Sequence, residues 1–187
     1  MRYFEDRSPG EGVCAARARL RGDAPRLSLN GAWAFRLSPR ADGPADFVDR
    51  DFDDRGWDRL TVPSHDQLHG AGAHAGERYP FPIDPPFVPD ENPTGDYRYR
   101  FALPTDWSAG AALLRFEGVG SCARIWVNGE YVGTARAGRL PAEFDVGELL
   151  RTGDENLLAV RVHQWSSASY LDDARLSGIF GLSLIHI

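Results

Sequence analysis

The sequence predicts an all-β protein built as an antiparallel sandwich. Apolar residues recur at every second position in several short runs, which is the signature of half-buried strands. Gly, Pro and Asn-Gly turn signals separate those runs. No stretch sustains the 3.6-residue apolar period of a long amphipathic helix. Many short strands with turn punctuation and no helical partner layer leave a sandwich or barrel as the way to bury one face of each strand.

Composition narrows the possible roles. At 187 residues one domain is the economical reading, long enough to bury roughly two-thirds of its unfolded surface. The 42% hydrophobic fraction fits a globular chain. A net charge of −6, with 21 Lys and Arg spread among 27 acids, argues against a nucleic-acid partner, which needs concentrated basic charge. Cys14 and Cys122 make neither a disulfide framework nor a metal pattern. No run reaches the ~20 apolar residues of a membrane span, and the start lacks the apolar core of a signal peptide. These features lead us to expect a cytoplasmic chain with no membrane partner.

In chain order, residues 1–26 carry Arg17, Arg19, Arg21 and Arg26 between small residues and show no apolar period, so an extended arm is expected, lying on the domain or on a neighbouring subunit. The run Leu27 to Leu37 places Trp33, Phe35 and Leu37 on one face of a strand. The acidic stretch from Asp42 to Arg59 reads as loop, pinned by Phe47, Phe52 and Trp57. A short strand follows at Leu60 and is stopped by Pro63. Gly, Ala and His from Ser64 to Arg78 indicate another loop.

From Tyr79 to Gly95 the chain carries six prolines: Pro80, Pro82, Pro85, Pro86, Pro89 and Pro93. Each fixes its own φ and removes a backbone donor, so the segment is neither helix nor interior strand. It is a stiff loop with Tyr79, Phe81 and Phe87 along it and Asp90, Glu91 and Asn92 at its tip. Such a loop can be a connector, or it can aim a side chain. Beyond it, Tyr97, Tyr99 and Phe101 alternate with Arg98 and Arg100. A strand follows over 111–119, then a hairpin whose Asn128-Gly129 supplies two positive-φ residues. Residues 143–151 read as at most a short helical turn, and Leu157 to Trp165 as the final strand. Trp33, Phe35, Trp126 and Trp165 are expected in the core.

Catalytic signals are weak. Adjacent acids such as Asp53-Asp54 and Asp172-Asp173 point to opposite faces of an extended chain, so they are not the facing pair of a glycosidase. No nucleophile elbow, phosphate loop or dinucleotide fingerprint is present. His65, His69 and His74, with Asp66, would converge on a metal only on a helix, which Gly70, Gly72 and Gly76 oppose. Aromatic faces beside planar polar groups do suit a carbohydrate partner.

Several motifs, taken in order, resemble the N-terminal sugar-binding domain of bacterial β-galactosidases, in glycoside hydrolase family 2. They are Pro86-Phe-Val-Pro-Asp-Glu-Asn-Pro-Thr-Gly-Asp-Tyr97, Phe116-Glu-Gly-Val-Gly-Ser-Cys-Ala-Arg-Ile-Trp-Val-Asn-Gly129, Arg139-Leu-Pro-Ala-Glu-Phe-Asp-Val146, Gly153-Asp-Glu-Asn-Leu-Leu-Ala-Val-Arg-Val162, Trp165 through Leu171, and Ser177-Gly-Ile-Phe180. The match runs from about Tyr3 to Phe180. It implies a jelly-roll sandwich over 27–180 behind the 1–26 arm, and a parent enzyme that hydrolyses terminal β-D-galactosides with retention in a later barrel domain. That barrel would hold the catalytic glutamates, leaving none in this fragment, and the parent would use magnesium and sodium and form a homo-oligomer. The resemblance further implies that Asn92 reaches the sugar, and that Asp173 stands in for a sodium-binding aspartate that meets it. Relatives carry Tyr-Leu-Glu-Asp-Gln-Asp-x-Trp where this chain has the shorter Tyr170-Leu-Asp-Asp-Ala-Arg-Leu-Ser177. Residues 181–187 depart from the family's Arg-Asp-Val and are expected to be a tail that is truncated or foreign to the native frame, leaving an exposed strand edge at Phe180. Other outcomes consistent with the residues are a free-standing carbohydrate-binding module, a degenerate scaffold domain, or another family 2 activity such as a β-glucuronidase or β-mannosidase.

Overall fold

A computed structural model describes residues 1–16, 24–66, 81–107, 110–136, 140–171 and 177–180, together with the backbone of 182–186. Strand signals dominate it as expected, and no α-helix occurs among the described residues. The strands are β1 (Gly10–Glu11), β2 (Arg26–Ser28), β3 (Gly31–Ser38), β4 (Asp58–Val62), β5 (Ser64–His65), β6 (Thr94–Ala102) and β7 (Ala112–Phe116). They continue with β8 (Val119–Gly120), β9 (Cys122–Val127), β10 (Glu130–Ala135), β11 (Ala142–Asp145), β12 (Glu155–His163), β13 (Gly178–Ile179) and β14 (Leu182–His186).

A seven-stranded sheet runs in the order β1-β10-β9-β12-β6-β3-β4, a four-stranded sheet in the order β11-β7-β14-β2, and a small third sheet in the order β5-β13-β8. Every pairing described is antiparallel. The result is an all-β antiparallel sandwich.

Alternation sets which face goes inside. Leu158, Val160 and Val162 of β12, Ala123, Ile125 and Val127 of β9, and Trp33 and Phe35 of β3 meet Leu114 and Phe116 of β7 and Phe144 of β11 in one core. Tyr97 and Phe101 of β6 join them, with Tyr99 packed alongside and stacked on Trp33 at 4.9 Å between ring centroids. Burial of these rings and branched side chains is the dominant stabilising term. Asn128 at φ 53° and Gly129 at φ 91° close the β9–β10 hairpin, as Asn-Gly predicts.

Four features differ from the sequence reading. The run from Leu27 breaks at Leu29-Asn30, so β2 belongs to the four-stranded sheet and β3 to the seven-stranded one. Gly31, at φ 144°, makes the corner that lets the chain switch sheets. Residues 142–145, read as part of a turn, are strand β11. Their period is hidden because Glu143 is buried against Arg115, Oε1 to Nη1 at 2.7 Å. The arm contains a 3₁₀ turn at Tyr3–Glu5 and strand β1, which pairs with β10. Finally, the exposed edge expected beyond Phe180 is corrected: the backbone of 182–186 lies between β7 and β2, inside the four-stranded sheet. Residues 182–186 form strand β14 of this sheet.

The outer face of the seven-stranded sheet is covered rather than bare. Residues 43–57 lie over one half, with Phe47 buried against Trp126 and Ala159 and joined by Phe52 and Trp57. Arg98 rises from β6 to hold this cover, bonding Asp54 Oδ2 at 2.7 Å, Asp49 O at 2.9 Å and Phe47 O. Arg161 of β12 binds Gly43 O and Pro44 O, both at 2.7 Å, and pairs with Asp96 at 2.7 Å. Residues 1–11 cover the other half, held by Arg136, which donates to Tyr3 O at 2.9 Å and Ser8 O at 3.1 Å.

Candidate carbohydrate-facing site

The described part of the proline loop, 81–93, packs at one end of the seven-stranded sheet. Being unable to form a ladder, it is fixed by side chains from three directions. Val88 is buried with Phe4, Cys122 and Trp165, and Phe81 meets the edges of Trp165 and Tyr170 at 5.3 and 6.0 Å. Tyr170 Oη donates to Phe87 O at 2.5 Å and accepts from Asp84 N at 3.4 Å. Arg2 reaches across from the arm, donating to Val88 O at 2.6 Å and pairing with both Asp90 and Glu5.

Asn92 is the central tie. Its Nδ2 donates to Trp165 O at 2.8 Å, and its Oδ1 accepts from Trp165 N at 2.8 Å. The carboxamide thus pairs with both the N–H and the C=O of one residue, as a neighbouring strand would, at a place where Pro93 has no N–H to offer. Gln164 N donates to Pro93 O at 2.9 Å and completes the seam. Asn92 is 0% exposed, so its amide faces inward rather than projecting from the tip as expected. The exposed large apolar side chains of this rim are Ile83, Phe87 and Leu171, with the acids Asp84, Asp90 and Glu91 exposed beside them.

Below the seam lies a chain of buried polar groups. Thr94 Oγ1 donates to Asn92 O at 2.9 Å and meets His163 Nδ1 at 2.8 Å, while Tyr3 Oη meets His163 Nε2. With the Thr94 proton committed to Asn92, Nδ1 of His163 is the donor to Thr94, and Nε2 accepts from Tyr3. Burial, followed by the charges of Arg161, Arg124 and Arg2, drives the His163 pKa down to about 3, so the ring stays neutral. Burial and then the neighbouring Cys122 push the Tyr3 hydroxyl well up, keeping it a donor.

On the opposite side of β6, Asp66 accepts from Tyr97 Oη and, at 3.2 Å, from Ser177 Oγ. A Cβ at Gly95 would come within 2.9 Å of both Phe35 and Tyr97 and 3.2 Å of Asp66, so a larger residue there would displace these side chains.

Of the residues singled out from sequence, Asn92 and Asp66 are brought to the two sides of one strand end. Asp173, with Asp172, lies outside the described residues, as do His69 and His74. His65 packs against Phe180 at 4.9 Å. Among the described residues no group of three or more His, Cys, Asp or Glu side chains could hold a metal ion. The buried acids Glu5, Asp66, Asp96 and Glu143 each hold a structural partner. Sequence reasoning missed Arg2, Tyr3, His163 and Trp165 as the scaffold of the loop. Only tertiary proximity reveals them, because Arg2 sits 86 residues from Val88.

The described chain is thus a covered antiparallel sandwich with a stiff loop clamped at one end. The family model "Glycosyl hydrolases family 2, sugar binding domain" matches residues 27–187, and the chain belongs to that family. It is 50% identical to a β-galactosidase of Arthrobacter sp. (strain B7), over 95% of this chain and 20% of that protein. It is 46% identical to a β-galactosidase of Vibrio vulnificus (strain YJ016), over 88% of this chain and 16% of that protein. The chain thus spans about a fifth of the length of the relatives it matches. Among solved structures, a calcium-binding mutant of Bacteroides uniformis β-glucuronidase 2 shares the fold with a TM-score of 0.68 at 24% identity, over 87% of this chain and 18% of that one. Bifidobacterium dentium β-glucuronidase complexed with coumarin-3-O-glucuronide gives a TM-score of 0.60 at 27% identity, over 78% and 21%.

Proposed function

We propose that this chain is the sugar-binding part of a β-galactosidase-like glycoside hydrolase. In this reading it forms one wall of the pocket for a terminal β-D-galactoside, and the bond is cleaved with retention by carboxylates elsewhere in the parent polypeptide. The observation that carries it is the 50% identity to a β-galactosidase along 95% of the chain. The 24% to 27% shared with the two β-glucuronidase structures is lower.

The geometry supports a division of labour at the wall. Asn92 acts as a positioning residue, because its amide is spent on the Trp165 backbone. By fixing the loop it aims the exposed Phe87 and the acids Asp90 and Glu91 outward. A sugar presents C–H faces that stack on a ring and hydroxyls that donate to carboxylates, so these groups suit it. Direct contact by Asn92 would require the Trp165 seam to open. Asp173 is proposed as a second sugar-side acid, held by the segment after Leu171.

The test is a chimera in which residues 1–180 replace the matching part of the Arthrobacter sp. β-galactosidase. It is expected to hydrolyse an aryl β-galactoside with retention and to leave the matching β-glucuronide intact, while the 187-residue chain alone hydrolyses neither. A preference for the glucuronide would move the parent to another family 2 activity. Tight glycan binding by the isolated chain would favour a free-standing module.

A further inference from the structure

On β9 and β12, Arg124 and Arg161 are direct cross-strand partners on the outer face of the large sheet. Like charges so placed oppose each other unless each finds its own acceptors. Arg161 has a carboxylate and two carbonyls. Arg124 makes no hydrogen bond or ion pair among the described residues, and its Nε is sealed from solvent without a partner.

Aromatic rings take the place of acceptors. The Arg124 guanidinium carbon lies 4.4 Å from the ring centre of Tyr3, 4.8 Å from Tyr131 and 5.5 Å from Trp126. The rings themselves are held: Tyr131 Oη bonds Glu11 at 3.0 Å and Thr134 at 2.7 Å, and Tyr3 Oη bonds His163. Ring faces stabilise a cation but leave its in-plane N–H donors unused. The half-buried guanidinium is therefore pre-oriented, with Nε closed off and the two terminal nitrogens as its open edge. Two parallel donors on a rigid plane match a carboxylate in the end-on bidentate geometry.

We propose that Arg124, framed by Tyr3, Trp126 and Tyr131, is a docking point for a carboxylate side chain carried by the remainder of the parent polypeptide. This rests on the reading above that the parent is a much longer enzyme. Two observations favour that occupant. Four-fifths of the length of the Arthrobacter sp. relative lies outside the match, so a parent of that size offers a large covalently attached surface at high effective concentration to this domain. Arg, Tyr and Trp are also the residues that dominate the centres of protein interfaces.

Arg124→Met keeps the stem packed between the rings while removing the donors. In the 187-residue chain it is expected to leave the unfolding midpoint unchanged or raise it, because an unmatched cation is lost. In the chimera it is expected to speed amide hydrogen exchange across residues 122–135 by about tenfold or more, with Arg124→Lys falling between. An equal effect in both backgrounds, unfolding of the isolated variant, or no effect in the chimera would overturn the proposal. In a second measurement on the isolated chain, sodium acetate replaces sodium chloride at equal ionic strength. It should move the Arg124 side-chain resonances more than those of the saturated Arg98, and equal shifts would count against the site. Galactoside hydrolysis by the unsubstituted chimera tests the parent's identity separately, so the two failures are distinguishable.

Discussion

The two covers on the outer face of the seven-stranded sheet are built by the same device but finished differently. Over residues 43–57, arginines standing on β6 and β12 donate to main-chain carbonyls and to the carboxylates of Asp54 and Asp96, and their donor groups are largely used. Under residues 1–11, Arg136 does the same work, yet on the same half Arg124 has rings for neighbours and no acceptor among the described residues. A guanidinium surrounded by carbonyls and carboxylates completes a structure. One surrounded by rings keeps its directional bonding capacity for something else. The saturated half therefore has its guanidinium donors committed to the fold, whereas the arm-covered half also carries the clamp on the proline loop and the ring-framed Arg124.

This contrast can be broken from the saturated side first. Asp96→Ala removes the acceptor shared by Arg161 and Arg36 and strands a charge that is 6% exposed. The expected cost is about 3–5 kcal/mol, measured by urea unfolding. On the loop side, Asn92→Ala removes both hydrogen bonds to the buried Trp165 main chain. A loss of about 2–3 kcal/mol is expected, and in the chimera a raised KM with a smaller change in kcat would mark a positioning role.

Acid sharpens the comparison further. His163 is neutral when folded, with a pKa of about 3 against an ordinary value of 6.5. Below that ordinary value the unfolded chain binds a proton that the folded chain refuses. Stability is then fully present above it and falls as the pH drops toward the folded pKa, by about 1.4 kcal/mol per pH unit. His163→Gln should flatten that slope between pH 6 and pH 4, measured by urea unfolding at each pH. The smallest effect is expected for Arg2→Ala, which breaks the strut from the arm to Val88 O and Asp90. Because Arg2 is over a third exposed, about 1 kcal/mol or less is expected, seen as faster exchange at Phe87 with the core strands unaffected.

Much of the sandwich was legible because local chemistry and fold agree. Tyr97, Tyr99 and Phe101 alternate in sequence and share a face in space, and Asn128-Gly129 turns where it should. Strand β11 was not legible, since its alternation depends on Glu143 counting as an interior residue, which it becomes only beside Arg115. The break after Ser28 was hidden because both halves alternate in register, although they join different sheets. At the candidate site, the stiffness of the proline loop followed from φ restriction alone. The direction of Asn92 did not, because it depends on a residue 73 positions away.

By itself the sequence determined the strand-rich class, the hairpin, the stiffness of the loop and, through its ordered motifs, the family. These are properties of φ/ψ preference, period and motif, and all act over a few neighbouring residues. Tertiary structure alone decided which polar groups saturate one another: Asn92 against Trp165, Arg161 against Asp96, and Arg124 against no acceptor in the described chain. Those outcomes turn on distances between strands and loops that are remote in sequence, and a hydrogen bond is lost over a fraction of an ångström.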